Sequence, residues 1–130
     1  MTDFTKSLSM TASAMAAQAA RLRISSENLA NADTPGYRRK IVPFEQVFDP
    51  ASGANRIATG QLSLDRSDLK KIHDPSHPMA DDAGYYRGSN VNSLIEIADA
   101  REAQRSYEAN MRMFDQARKM ASSLFELLRR

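Results

Sequence analysis

No glycine or proline interrupts the chain between Ser93 and Arg130. At ~1.5 Å per residue a helix over that stretch would be a rod of roughly 54 Å, longer than a small globular domain is wide. Ala100, Tyr107, Phe114, Ala121 and Leu128 recur at seven-residue intervals. Ile97, Gln104, Met111, Arg118 and Phe125 form a second series with two polar breaks, and Leu94, Ala103, Ala117 and Leu124 widen the stripe. Heptad spacing is the pattern that lets helices wind around one another. Ser93 and Glu96 fit a capping box at the start, with Asn90 and Asn92 as rival caps. Glu108 with Arg112 and Asp115 with Lys119 are spaced for ion pairs along the helix surface.

The other end of the chain carries a matching pattern. Leu8, Met15, Leu22 and Leu29 lie seven apart, with Phe4, Ala12, Ala19 and Ser26 filling the turns between them. Up to Ala20 the remaining surface is mostly Ala and Ser, which suits close neighbours on several sides better than open water. Asn28, Leu29, Ala30, Asn31, Ala32, Asp33, Thr34, Pro35, Gly36 and Tyr37 then stop the helix. Pro35 biases Thr34 away from helical backbone, and Gly36 accepts a positive φ. The sequence therefore reads as mainly α. Long N- and C-terminal helices (1–33 and 91–130) pair in a coiled-coil-like manner around a small, irregular, β-containing middle segment (34–90). Two helices alone make a thin core, so help from other copies or partners is expected.

The middle holds β-prone runs at 40–48, 56–64 and 69–72, with turns at Asp49, Pro50, Ala51, Ser52 and Gly53 and at Ala83 and Gly84. Pro43 marks the first run as an edge strand or extended arm. His73 and His77 stand four apart near Asp74, Asp81 and Asp82, but Pro75 and Pro78 deny them a shared helix face, so no metal site is expected. Ser76 beside His77 has no orienting third group, and there is no phosphate-binding glycine loop. The chain reads as neither an enzyme nor a cofactor binder.

Charge narrows the partners. Eighteen basic and sixteen acidic residues leave a net charge of +2, with both signs mixed along the chain. The one compact basic run, Arg38, Arg39 and Lys40, reads as a solvated loop or an intersubunit contact rather than a nucleic-acid site. Cysteine is absent, which excludes disulfides. The uncharged stretch 7–20 is short and rich in Ser and Thr, so it does not insert into lipid. A cleavage site at Ala12, Ser13 and Ala14 would cut through the helical stripe, so no cleaved leader is expected.

Three motifs resemble the flagellar rod and hook family of bacterial axial proteins. The first is the run from Asn28 to Tyr37, including Ala30, Asn31, Thr34, Pro35 and Gly36. The second is Val91 and Asn92 followed by Glu102, Ala103, Gln104, Arg105, Ser106, Tyr107, Glu108, Ala109 and Asn110. The third is Asp74, Pro75, Ser76, His77, Pro78, Met79, Ala80 and Asp81, followed by Gly84 and Tyr85. The third run and the short chain resemble the proximal-rod members. Arg101 departs from the resemblance, standing where the family usually has an apolar residue. The resemblance implies a structural subunit of the basal-body rod in the periplasmic space, passed unfolded through the flagellar export apparatus. It also implies copies of the chain and other rod proteins as partners, with the inner-membrane ring around the rod base. The predicted packing set is Leu8, Met15, Leu22 and Leu29 against Tyr107, Met111, Phe114 and Leu128. A sibling rod protein, or a stand-alone helical adaptor for a coiled-coil partner, are the competing readings.

Overall fold

The computed structural model describes residues 2–130. Helix α1 spans Thr2–Ala30 and helix α2 spans Ser93–Arg129. Between them lie six short strands: β1 (Lys40–Ile41), β2 (Phe44–Asp49), β3 (Ala54–Thr59), β4 (Ser63–Leu64), β5 (Lys71–His73) and β6 (Tyr85–Arg87). The strands form three separate antiparallel pairs, β1 with β4, β2 with β3 and β5 with β6. Pro43 falls in the gap between β1 and β2, where no ladder hydrogen bond needs its missing N–H. The β2–β3 hairpin turns at Asp49, whose Oδ1 accepts from Ala51 N at 3.1 Å and whose carbonyl accepts from Gly53 N at 2.8 Å.

The two helices run antiparallel. Arg21 of α1 reaches Asp99 and Glu102 of α2, while Phe4 shares a surface groove with Gln116 and Met120. Strand β3 also packs on α1, and Ile57 N donates to Ser13 Oγ at 3.1 Å. With two neighbours, α1 buries a sector different from the expected stripe. Its buried residues are Thr11, Ala17, Ile24, Ser25 and Asn28. Leu8, Met15 and Leu22 are half-buried, and Leu29 is exposed, as are Ala12, Ala19 and Ser26.

On α2 the covered positions are Glu96, Asp99, Ala100, Ala103, Ser106, Tyr107, Asn110, Phe114, Ala117 and Ala121, a stripe along one face of the helix. The Ala100, Tyr107, Phe114 and Ala121 series therefore lies on the packed face, with Leu128 left 77% exposed. The second expected series does not join it. Ile97, Gln104, Met111, Arg118 and Phe125 are all exposed, and Glu96, Ala103, Asn110 and Ala117 take that side. A reading by hydrophobicity passes over Glu96 and Asn110, because what makes their burial tolerable is a partner: Arg39 for Glu96, and the Ser106 carbonyl, 2.9 Å from Asn110 Nδ2.

Two local expectations are also corrected. Asn92, not Ser93, caps α2, its Oδ1 accepting from Leu94 N and Ile95 N at 3.1 and 3.4 Å, and Glu96 is turned inward rather than back to the cap. The surface pairs Glu108 with Arg112 and Asp115 with Lys119 are not formed. Among the described residues every ion pair joins two different elements or a loop to a helix. Exposed pairs gain too little to hold two long side chains in one geometry.

A polar joint and an outward apolar ridge as candidate assembly site

The segment after α1 closes in a tight turn. Tyr37 N donates to Thr34 O at 3.1 Å across Pro35 and Gly36, and Gly36 has φ +76°. Proline second and a left-handed glycine third is the chemistry of a type II turn. Thr34 Oγ1 donates to Asn31 Oδ1 at 3.1 Å, and Asn31 Nδ2 donates at 2.9 Å to the Glu27 carbonyl, which also accepts from Asn31 N at 3.1 Å. Ala30 is exposed. The turn is pinned to the far end of the middle segment. Gly36 N donates to the carbonyls of Arg87 and Gly88 at 3.2 and 3.1 Å, and Ser89 Oγ donates to Ala32 O.

Asn28 is the hinge pin. It is 1% exposed. Its Nδ2 donates to Lys40 O, its Oδ1 accepts from Lys40 N, and Tyr37 Oη donates to the same Oδ1, each at 2.9 Å. The amide thus pairs with both backbone groups of Lys40 as a neighbouring strand would. Asn90 repeats the device from the other side. Its Oδ1 accepts from Arg39 N at 2.6 Å, and its Nδ2 donates to the carbonyls of Asp65 and Ser67 at 2.9 and 3.2 Å. Lys70 Nζ donates to the carbonyl of buried Val91 at 2.7 Å.

The basic run is consumed inside this joint instead of lying solvated. Arg38 donates to the carbonyls of Asp65 and Ser67, Lys40 pairs with Glu27, and Arg39 forks between Glu96 and Asp99. Arg21 takes the other oxygen of Asp99 at 3.5 Å and Glu102 at 3.2 Å. Acids three apart on α2 are therefore read by one arginine from α1 and one from the segment after the turn. Burial works to lower the Arg39 pKa, but the hydrogen bond and charge of Glu96, with Asp99, raise it overall. Burial, then the Glu27 carboxylate, raises that of Tyr37. The sequence marked Arg39 as part of the basic run and Glu96 and Asn90 as capping candidates, but not their roles in the joint, and it did not single out Arg21 or Asp99.

The third motif folds as the β5–β6 hairpin and its loop. Asp74 Oδ1 accepts from Ser76 N and Oγ at 3.1 and 2.6 Å, and Met79 N donates to His77 Nδ1 at 3.1 Å. His77 stacks on Tyr86 with ring centroids 3.9 Å apart, while His73 meets Tyr85 edge-on at 4.6 Å. Pro75 packs so close to Gly84 that an added Cβ there would lie 2.9 Å from the ring. Pro78 and Met79 are exposed. The two imidazoles are thus each held by a different tyrosine.

Large apolar side chains lie outside these contacts. Leu94, Ile95, Ile97, Met111, Met113, Met120, Leu124, Phe125, Leu127 and Leu128 are exposed on α2 alone. Ala109 is exposed, and so is Arg101, which lies beside Leu94, Ile97 and Ala98 without displacing the packed face. Near the N-terminus of α1, Phe4 and Ser7 line an open groove of about 410 Å³ with Met113, Ala117 and Met120. Of the expected packing set, Leu8, Met15, Leu22, Tyr107 and Phe114 are half-buried, while Leu29, Met111 and Leu128 are exposed.

Comparison with known proteins follows the same two ends. A family model described as flagella basal body rod protein matches residues 8–38, and one described as flagellar basal body rod FlgEFG protein C-terminal matches 82–127. The flagellar basal-body rod protein FlgC of Agrobacterium fabrum is 46% identical over 124 residues, covering 90% of this chain and 89% of that one. The Bacillus subtilis FlgC is 32% identical, covering 98% and 99%, and the Salmonella typhimurium FlgC is 32% identical, covering 83% and 85%. The first model spans most of α1 and the turn, the second β6 and α2, so together they hold both helices with Asn28, Tyr37, Asn90 and Glu96, while Arg39 and Lys40 fall outside both. The chain belongs to the flagellar basal-body rod protein family, alongside its FlgC members, and is a structural subunit of that rod.

Proposed function

We propose that the subunit assembles, with copies of itself and other rod proteins, into a helical tube that transmits torque, its two helices paired coiled-coil-like toward the inner wall and its middle segment outward. One observation carries this reading. The buried core is small and holds as many polar as apolar residues, while most of the large apolar side chains of α2 are exposed. Among the described residues the fully buried apolar side chains are Ala17, Ile24, Val91 and Ala103. Such a core is too thin to offset chain entropy, so the missing burial belongs to neighbours. A head-to-tail contact between unlike faces that does not close builds a helix of subunits, as a tube requires.

The same economy suits passage through the export apparatus as an unfolded chain, since ordering is deferred until neighbours arrive. In this reading the subunit is exported to a rod in the periplasmic space. No described helix is long and apolar enough to cross a membrane. In this reading the middle segment, lying outward of the helices, meets the inner-membrane ring. A cryo-EM map of the basal body tests the assignment. The expected result is Leu124, Leu127 and Leu128 packed on helices of adjacent subunits; a map with those side chains facing solvent overturns it.

A further inference from the structure

Beneath the joint, Arg21, Ile24, Ser25, Asn28, Arg39 and Glu96 line a cleft of about 80 Å³ together with Lys40 and Asp99. Glu96 is 1% exposed, and only its Oε1 is matched, by Arg39 Nε. Its Oε2 is buried with no protein donor among the described residues. A buried carboxylate oxygen without a donor forfeits its hydration, which makes an unfilled acceptor here costly. Asn28 does not supply the donor: its Nδ2 donates to Lys40 O, and no hydrogen bond joins it to Glu96 Oε2.

We infer that the cleft is a binding site for one ordered water, which donates to Glu96 Oε2 and is held on its other side by the Ser25 hydroxyl. The lining selects a neutral ligand. Arg21, Arg39 and Lys40 repel a cation, and the carboxylates of Glu96 and Asp99 repel an anion. The volume exceeds the ~10–15 Å³ a water needs, and polar groups on both walls provide the two to four partners that keep a buried water in place. Ser25 is itself buried on α1, so the bridge adds a second tie between α1 and α2 beside the Arg21–Asp99 pair.

Crystals of the full-length chain diffracting to about 1.5 Å test this directly, in wild type and in Ser25→Val, whose second methyl occupies the water's place. The expected wild-type map has a peak about 2.6–3.2 Å from both Glu96 Oε2 and Ser25 Oγ, and the Ser25→Val map has none. A wild-type map with Glu96 and Arg39 ordered but no peak overturns the inference, as does a protein donor found on Oε2. A peak that persists unchanged in Ser25→Val overturns the bridge. If Ser25→Val does not crystallise, Ser25→Ala serves: the water then loses one partner, and its occupancy falls while Glu96 stays in place.

Discussion

Asn28 shows how one side chain holds a chain reversal. It replaces a strand partner for Lys40, so its loss strips both backbone groups of Lys40 and the Tyr37 hydroxyl at once. Asn28→Ala should cost about 1–3 kcal/mol for each group left buried without a partner. Amide hydrogen exchange gives the local reading: Lys40 N–H is protected in wild type and should exchange freely in the variant, whereas unchanged protection would remove Asn28 from the joint. Arg39 is the electrostatic counterpart. Arg39→Met leaves Glu96 buried without its cation and should destabilise by about 3–5 kcal/mol, while Arg39→Met with Glu96→Met should recover most of that loss. A double variant as unstable as the single one, in denaturant melts, would show that the pair is not the unit. Hairpin carboxylates govern the acid side. The Ser76 hydroxyl and backbone N–H hold the Asp74 pKa below its ordinary value, and the Tyr85 backbone N–H does so for Asp81. Their contribution is therefore complete above the unfolded value of about 3.9 and is lost as pH falls through the lower folded values. Carboxyl-carbon NMR titrations should give both midpoints below about 3.9; midpoints at or above it would contradict the hairpin contacts.

At the scale of elements, Phe114 and Tyr107 lie half-buried on the face α2 shows to α1. Full burial of an aromatic makes its truncation cost about 3–5 kcal/mol, so in the isolated chain Phe114→Ala should cost less than that. In the assembled rod it should approach the full figure if neighbours complete the burial. Comparing the melt of the purified chain with recovery of rods from cells separates the two. The helices themselves were legible in the sequence because their signals are local: the long stretch free of Gly and Pro, the seven-residue repeats, the Pro35–Gly36 stop. Which face each helix buries was legible only in part. Burial of Glu96 depends on Arg39, fifty-seven residues away, and burial of Ile24 depends on a hairpin that a helical repeat does not register. The motif from Asn28 to Tyr37 could be read as a turn, but not the bidentate hold of Asn28 on Lys40. That contact exists only once the chain has reversed, and no spacing rule announces it.

For the whole molecule the governing fact is that the apolar surface is divided unevenly. Inside the chain, most buried polar groups are matched, Gln18 Oε1 and Glu96 Oε2 excepted, and the matched ones fix register, as a polar residue in a helix seam does. Outside it, the end of α2 carries Leu124, Phe125, Leu127 and Leu128 on its surface, more than solubility of a lone subunit would favour. Two roles follow for two sets of residues, and they can be separated. Leu124→Asp with Leu128→Asp touches none of the hydrogen bonds or ion pairs of the joint, so the isolated chain should keep its helix content by circular dichroism and the hydrogen-exchange protection of Lys40. Rod formation should fail, because a carboxylate placed in a dry intersubunit contact has no partner to offset its desolvation. Swarming on soft agar and electron microscopy of purified basal bodies report the failure. Arg39→Met has the opposite signature, with Lys40 protection and chain stability reduced before any defect in subunit contact is felt. If the two aspartates leave rods intact, the ridge is not the adhesive surface. If they unfold the chain, the ridge serves the subunit's own stability, and the division of labour between joint and ridge is lost.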